Sequence, residues 1–379
     1  MNNQQSTTNN QQITIVGAGM VGLSQAIALA ARGIDVTVID HEDPAKILAH
    51  EFDGRVSAIA WRSYKFLDAI GAWKDMLPHA EPIKDIRVSE FGSNLFLHFD
   101  HQEIGTQAFG YIVENRFIRE VLFKRAAELK NLKLKAPARW DGTHEGLLIG
   151  ADGKNSAVRK MAGITEYRKS YKQMGIVATI EHSMPHMGLA HENFLAVGPF
   201  AVLPMQGNRS SLVWTEPNDI AHIYHKMSDP DFLAQIEKRV KYLGEIKAVG
   251  QRWIYPLELM HADSYVKGNV VLVGDAAHSI HPIAGQGVNL GFRDAELLTE
   301  ILYNQLKLGL DIASPIALEK YNDTRRFDNS VMITATDRLN ILFSNKILPI
   351  KLVRQLGLGA VNQIPPLKKM FMKYASGKI

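Results

Sequence analysis

Six residues, Gly17-Ala18-Gly19-Met20-Val21-Gly22, constrain this chain more than any other feature. They form a G-x-G-x-x-G string, and the surrounding sequence gives the string its meaning. Before it runs Ile13-Thr14-Ile15-Val16, a short apolar segment that suits a strand buried on both faces. After it, Met20 to Ala31 has no Pro, no Gly beyond Gly22, and is rich in Ala and Leu; it reads as a helix ended by Gly33. Val36-Thr37-Val38-Ile39 reads as a second strand, closed by Asp40, 18 positions after Gly22. Gly17 permits the tight turn, Gly19 lets the backbone approach a pyrophosphate, and Gly22 lets helix and strand pack closely. The helix N-terminus offers free N–H groups and partial positive charge to phosphates. Asp40 is placed to accept from ribose hydroxyls. Glycines serving only a strand–helix turn are the plainer alternative; strand, helix, second strand and acid all in place weigh against it. The string does not separate FAD from NAD.

Composition closes several other routes. The 379 residues contain no Cys, which removes disulfides, thiolate nucleophiles, cysteine-ligated clusters and cysteine zinc sites. Lys and Arg number 43 against 39 Asp and Glu, a net charge of +4 that is too small and too spread to mark a nucleic-acid surface. That excess is local. Between Ile341 and Ile379 lie seven basic residues and no acidic one, so the rest of the chain is slightly acidic. The N-terminal residues 1–11 are polar and Asn/Gln-rich and read as a disordered lead-in, not as a signal or transit peptide. The longest apolar stretch, Phe194 to Met205, is 12 residues and holds two prolines, whereas a spanning helix needs about 20.

Two further loops follow apolar segments. After Leu147-Leu148-Ile149 comes Gly150-Ala151-Asp152-Gly153-Lys154-Asn155-Ser156-Ala157-Val158-Arg159. After Val270-Val271-Leu272-Val273 comes Gly274-Asp275-Ala276-Ala277-His278-Ser279-Ile280-His281-Pro282-Ile283-Ala284-Gly285-Gln286-Gly287-Val288-Asn289. Gly285 and Gly287 stand just before a helix, so a ligand reaching them meets bare backbone N–H groups at a positive helix end. That suits a flavin, whose reduced form carries negative charge at its pyrimidine edge. Asp275, at a strand's carboxyl end, is placed to accept from a polyol chain.

These three loops resemble the three signatures of single-component (group A) flavin-dependent aromatic hydroxylases. Gly198-Pro199-Phe200-Ala201-Val202-Leu203-Pro204-Met205, the following Asn208 to Thr215, and Tyr321 to Asn329 look like tracts of the ubiquinone-biosynthesis branch. The resemblance runs from residue 12 to about 376. It implies an α/β fold: a Rossmann-like FAD-binding domain of the para-hydroxybenzoate-hydroxylase type, an interleaved β-sheet substrate domain, and C-terminal helices. It implies that Gly17, Gly19, Gly22 and Asp40 hold the ADP part of FAD. Arg55 would reach FAD near the pyrophosphate and ribose, Asn115 would touch the cofactor, and Asp152 would contact FAD and NAD(P)H pyrophosphates. Asp275 would bind the ribityl chain. Gly285, Gln286, Gly287, Val288 and Asn289 would face the isoalloxazine edge, with Pro282 and Gly285 as the catalytic flavin-ring environment. The activity implied is hydroxylation of a polyprenylated phenol with FAD, NAD(P)H and O2, through a C4a-hydroperoxyflavin. Hydroxylation of a small soluble phenol, and a flavin-binding but non-catalytic subunit of a ubiquinone-biosynthesis assembly, are the alternatives. The residues name no general base.

One departure from the family pattern stands out. Only Lys135 to Glu145 separate two strands where relatives carry a longer stretch, so a hairpin is expected to be shortened or missing. His278 and His281 lie three apart, yet Pro282 and the glycine-rich loop argue against a helical ligand face, and no metal is expected. The five tryptophans read as core. The FAD-binding domain is expected to be discontinuous, over 12–82, 105–165 and 256–345, with the substrate domain over 83–104 and 166–255, Pro82 and Pro256 marking crossings. Residues 346–379 read as a basic helical segment that lies on anionic membrane, binds a ubiquinone-biosynthesis protein, or caps its own domain. The expected location is the bacterial cytoplasm, peripheral to the inner membrane at most.

Overall fold

A computed structural model describes residues 12–49, 54–105, 108–281, 285–343 and 361–377. The lead-in 1–11, Pro282 with its neighbours Ile283 and Ala284, and the part 346–360 of the basic segment lie outside the described residues.

Ile13–Val16 is buried at every position because it runs inside a six-stranded sheet. Strand order is Val266–Lys267, Val270–Leu272, Leu147–Gly150, Ile13–Val16, Val36–Ile39, Leu132–Lys135. All neighbours are parallel except the first pair. Parallel strands demand crossovers, and the helix Met20–Ala30 supplies the first of them. It packs against the helices Asn115–Ala127 and Gly287–Lys307, and Gln25 and Thr299 side chains join across the second contact at 2.7 Å. A three-stranded antiparallel sheet, Val56–Ala60, Gly110–Glu114 and Ala80–Ile83, attaches to this half.

The second large sheet has eight strands, in the order His278–Ser279, Ile246–Ala262, Glu166–His182, Arg209–Pro217, Gly198–Met205, Leu189–Leu195, Asp85–Glu90, Phe96–Asp100. Its two faces differ. One is backed by the helices Asn218–Lys226 and Asp229–Glu237. Ile176, Ala178, Ile180, Phe200, Val202, Leu212 and Trp214 are buried there against Phe232 and Ile236. The alternate residues point to the other face, toward the dinucleotide half. Register places Val177, Val213, Ala201, Glu192 and Val88 side by side across that face. Several of these, with Leu203, Trp253 and Tyr255, are half-buried rather than buried, which marks the wall of a cleft.

Three features add detail to the sequence reading. The strand Ile246–Ala262 runs straight through Pro256. Its outer neighbour pairs only at Met260 and His261, so on that side no ladder asks Pro256 for an N–H. Pro82 likewise sits inside Ala80–Ile83, the edge strand of the small sheet. The tryptophans divide: Trp73 and Trp214 are buried in core, whereas Trp253 is half-buried on the cleft wall. Between Lys135 and Leu147 the described chain has no strand; Trp140 Nε1 donates to Thr143 O at 2.7 Å and Asp141 accepts from Thr143 in a compact turn. The C-terminal helix Pro365–Ala375 docks through buried Met372, and Lys368 pairs with Glu103 at 2.6 Å.

Candidate functional site: a crevice at the carboxyl ends of parallel strands

At the first loop two backbones approach too closely for any side chain. Gly17 has φ +108°, and a Cβ there would stand 2.3 Å from Ala151 O. A Cβ on Gly22 would stand 2.0 Å from Gly17 O. Gly19 is different: a Cβ there would meet nothing within 4 Å. Its openness lies at the N-cap of Met20–Ala30, a helix with no side-chain cap, so the first N–H groups face free space. Asp40 closes the far side. Its Oδ2 accepts from Ala18 N–H at 2.5 Å and its Oδ1 from Glu42 N–H at 2.8 Å.

The second loop is bonded to the first strand through Ala151 N–H to Val16 O at 2.8 Å. Asp152 Oδ2 caps the short helix Ala157–Met161 by accepting from Ala157 and Val158 N–H. Its Oδ1 is buried and has no hydrogen-bond partner among the described residues. Arg159, fully buried, binds Glu166 and donates to Lys154 O at 2.7 Å and to Ala276 O at 2.6 Å. That last bond ties the second loop to the third.

In the third loop Gly274 and Gly291 receive Val21 from the fingerprint helix; a Cβ on Gly291 would lie 2.5 Å from Val21 Cγ2. The two helix N-termini are thereby set close together. Below them, Asp294 is fully buried. Its oxygens take Gly274 N–H at 3.0 Å, His278 Nε2 at 2.5 Å and Arg325 Nε at 2.7 Å. Burial would raise this carboxyl, but the His278 and Arg325 charges prevail and hold it at about 2. Asp275 is exposed to solvent yet enclosed by protein atoms; burial raises its pKa against the pull of Lys154 and His278. A carboxylate both enclosed and wet lines a crevice.

Asn289 engages its whole amide with the protein. It accepts from Ala60 N–H at 2.9 Å and donates to Ala58 O and Gly285 O. It therefore holds the third loop to the strand Val56–Ala60, leaving only its backbone for a ligand. Gly285 has φ +60°, Gln286 is the N-cap of Gly287–Lys307, and a Cβ on Gly287 would meet nothing within 4 Å. Val288 packs on the core. Asn115 receives Ser57 Oγ–H at 2.7 Å and bonds Arg55 O through its backbone, while the Arg55 guanidinium lies 5.7 Å from the Tyr255 ring centre. The three loops, Arg55 and Asn115 thus form one connected rim. His281, fully buried, has no hydrogen-bond partner for either ring nitrogen among the described residues and is neutral, burial lowering its pKa to about 4.

The donor set fits FAD. Two uncapped helix N-termini meet bare glycine backbone, Asp40 and Asp275 stand as acceptors at strand ends, and Asp152 keeps an unpartnered buried oxygen. Sequence reasoning missed the Asp294, His278, Arg325 cluster as a unit. The signal was weak: an acid and an Arg in two separate helices, 31 positions apart, each with other charged residues beside it.

Comparison with known proteins agrees on these segments. The family described as FAD binding domain matches residues 143–332, and that described as FAD dependent oxidoreductase matches 12–110. The chain is 45% identical to ubiquinone hydroxylase UbiL of Rhodospirillum rubrum, covering 97% of this chain and 90% of that one. It is 34% identical to 3-demethoxyubiquinol 3-hydroxylase of Escherichia coli, over 98% and 100% respectively. Among solved structures, p-nitrophenol 4-monooxygenase PnpA of Pseudomonas putida superposes with TM-score 0.76 at 19% identity, over 95% of this chain and 96% of that one.

The glycine geometry separates two variants. Gly22→Ala is expected to lower apoprotein stability by about 3 kcal/mol through backbone overpacking. Gly19→Ala should leave the urea midpoint of the apoprotein unchanged while weakening FAD binding by flavin fluorescence titration. Asp294 generates a second expectation. Its folded pKa lies below the ordinary 3.8, so its contribution is present above that pH and is lost as pH falls toward about 2. Asp294→Asn, which leaves the buried Arg325 guanidinium with Asp328 as its ion partner, should cost about 3 kcal/mol at neutral pH and flatten the acid-unfolding profile in that window.

Proposed function

The chain belongs to the FAD-dependent monooxygenases of ubiquinone biosynthesis, and on that premise we propose that it adds one oxygen atom to the ring of a polyprenylated phenol. The observation that carries the reading is the pair of uncapped, glycine-fronted helix ends, joined through Val21, with the third loop packed on Ala58, which clusters with Val88 and Leu203 of the eight-stranded sheet. FAD, when bound, supplies electron uptake from NAD(P)H and activation of O2.

The protein's own part is binding, orientation and dryness. Gly17, Gly19 and Gly22 would admit the pyrophosphate to the first helix end, and Asp40 would accept from the ribose. Arg55, Asn115 and Asp152 would flank it, and Asp275 would accept from the ribityl chain. Gly285 to Asn289 would set backbone N–H groups and a positive helix end against the charge that reduced flavin carries. Pro282 would lie beside the ring. The sheet wall of Val88, Leu203 and Val213 would keep water from the reacting atoms, which limits wasteful release of hydrogen peroxide. Residues 12–82, 105–165 and 256–345 would form the FAD-binding part and 83–104 with 166–255 the substrate part, the strand Ile246–Ala262 continuing from one into the other.

A polyprenyl substrate is met at a lipid surface, and no described helix is long and apolar enough to cross a membrane. The helix Pro315–Phe343 offers a different contact. Ile316, Phe327, Val331, Ile341 and Leu342 are exposed at helical spacing, Ile316 by 85% and Phe327 by 70%, with Lys320, Arg338 and one acid, Asp323, beside them. This stripe, with the basic C-terminal segment, would lie on an anionic membrane surface.

Under anaerobic conditions, FAD bound to the purified protein is expected to be reduced by NAD(P)H faster with a prenylated phenol present. Absence of bound FAD, or of reduction with any phenol, rejects the enzyme; equal product from free and prenylated phenols would favour a small soluble substrate. Phosphatidylglycerol vesicles should sediment the protein, phosphatidylcholine vesicles much less, and high salt should release it. Ile316→Ser with Phe327→Ser should weaken that binding about tenfold or more.

A further inference from the structure

Glu192 stands mid-strand in Leu189–Leu195, on the cleft face of the eight-stranded sheet. Register settles the face: Glu192 pairs with Val88 on one side and with Ala201 on the other. Its chain neighbours turn away, His191 to the Tyr242 ring and, further along, Leu195 to the helix-backed core. Around Glu192 the wall is apolar. Val88, Ala190 and Leu203 belong to one cluster with Val56 and Ala58. Ala58 is the floor of the third loop: its carbonyl accepts from Asn289, and its Cβ lies 3.2 Å from where a Gly285 Cβ would stand. Phe194, on the same face, stacks on Phe343 with ring centres 3.8 Å apart. One continuous apolar surface therefore leads from the Glu192 carboxyl to the flavin loop.

The carboxyl itself is partly accessible, yet no hydrogen bond or ion pair joins it among the described residues. Burial alone raises its pKa to about 8. The same face also carries Glu90, and Arg209, which pairs with Glu114. Elements packed against this part of the sheet carry Glu81, Tyr111, Glu114, Asp337 and Lys368; the last three are ion-paired with other groups. A carboxyl left without a partner in an apolar wall destabilises the fold, and a use for it is the physical reason to look at what it faces.

We propose that Glu192 is a catalytic residue whose carboxylate takes the proton from the hydroxyl of the phenolic substrate. The inference rests on the ring-hydroxylase reading above. The phenol O–H bond breaks, an O–H bond forms on Glu192, and the electron pair stays on the phenolate oxygen. The ionised ring is richer in electrons where the oxygen atom is to be added. The proton leaves Glu192 for the oxygen atom that departs as water, so the carboxylate is restored each turnover; NAD(P)H and O2 are those of the hydroxylation itself. A base whose affinity for protons lies near working pH suits this transfer.

The test uses FAD-loaded protein and 2-prenylphenol as probe, comparing wild type with Glu192→Gln and Glu192→Asp. The wild type should show bound phenolate absorbance well below the pH at which the free phenol ionises. Product formation should rise with pH through about 8. Glu192→Gln should lose the phenolate signal and roughly 100-fold or more of product formation, while its flavin binding stays intact; Glu192→Asp should recover part of both. The melting temperature of Glu192→Gln should also rise above that of wild type, increasingly so from pH 4.5 to about 8, because a buried carboxyl no longer has to ionise. A Glu192→Gln protein that hydroxylates the probe within twofold of wild type, or that is less stable than wild type across that range, overturns the assignment alone. A wild-type holoenzyme inert toward every prenylated phenol overturns the hydroxylase reading and the proton transfer with it.

Discussion

The contact of bare backbone on bare backbone at Gly17 and Gly22 is the constraint from which the site is built. With Gly22 pressed on Gly17 O and Gly17 on Ala151 O, the helix Met20–Ala30 starts as close to the sheet as atoms allow. That closeness puts Val21 against Gly274 and Gly291, so the third loop and the start of Gly287–Lys307 are located by the same approach. A methyl group at either glycine would push apart more than one strand and one helix. It would separate two helix ends whose joint field is the chemical asset of the crevice.

Buried charge completes what the glycines begin. Asp294 draws Gly274 N–H, His278 and Arg325 onto one carboxylate, and Arg159 draws the second and third loops onto one guanidinium. Each is almost wholly removed from water, and each is matched by partners, as a buried ion must be. Their role is positional: they leave the loop backbones in place with N–H groups still open to a ligand. Asn289 acts likewise, giving its side chain to Ala58, Ala60 and Gly285.

The opposite wall follows a different rule. The eight-stranded sheet buries Phe200 and Trp214 against its helices and leaves Val88, Leu203, Val213, Trp253 and Tyr255 half-buried toward the cleft. Because period two separates the faces, one strand can serve a dense core and a ligand wall at once. The tight core on one side keeps the wall on the other stiff. Glu192 stands on that wall beside Val88 and Ala201, an acid with no ion partner among the described residues.

Much of the nucleotide half was legible in the chain, because its signals are local. Strand, glycine turn, helix and acid follow one another within thirty residues, and each glycine's role is a matter of backbone geometry. The third loop was legible for the same reason. What could not be read were relations between distant segments. Asp294 and Arg325 look like two ordinary helix charges until the fold brings them together. That one strand continues through Pro256 was not legible either, because a proline's missing N–H matters only if a neighbour asks for it, and that is a property of sheet order. Whether Glu192 faced helix or cleft depended on register, which shifts every side chain to the opposite face with a slip of one residue. By itself, then, the sequence determined the nucleotide-binding half and the chemistry of its loops, since these are encoded in contiguous backbone patterns. Tertiary structure alone decided which charges pair, which sheet face meets the third loop, and which carboxyl there lacks a partner among the described residues, since those outcomes depend on contacts between residues far apart in the chain.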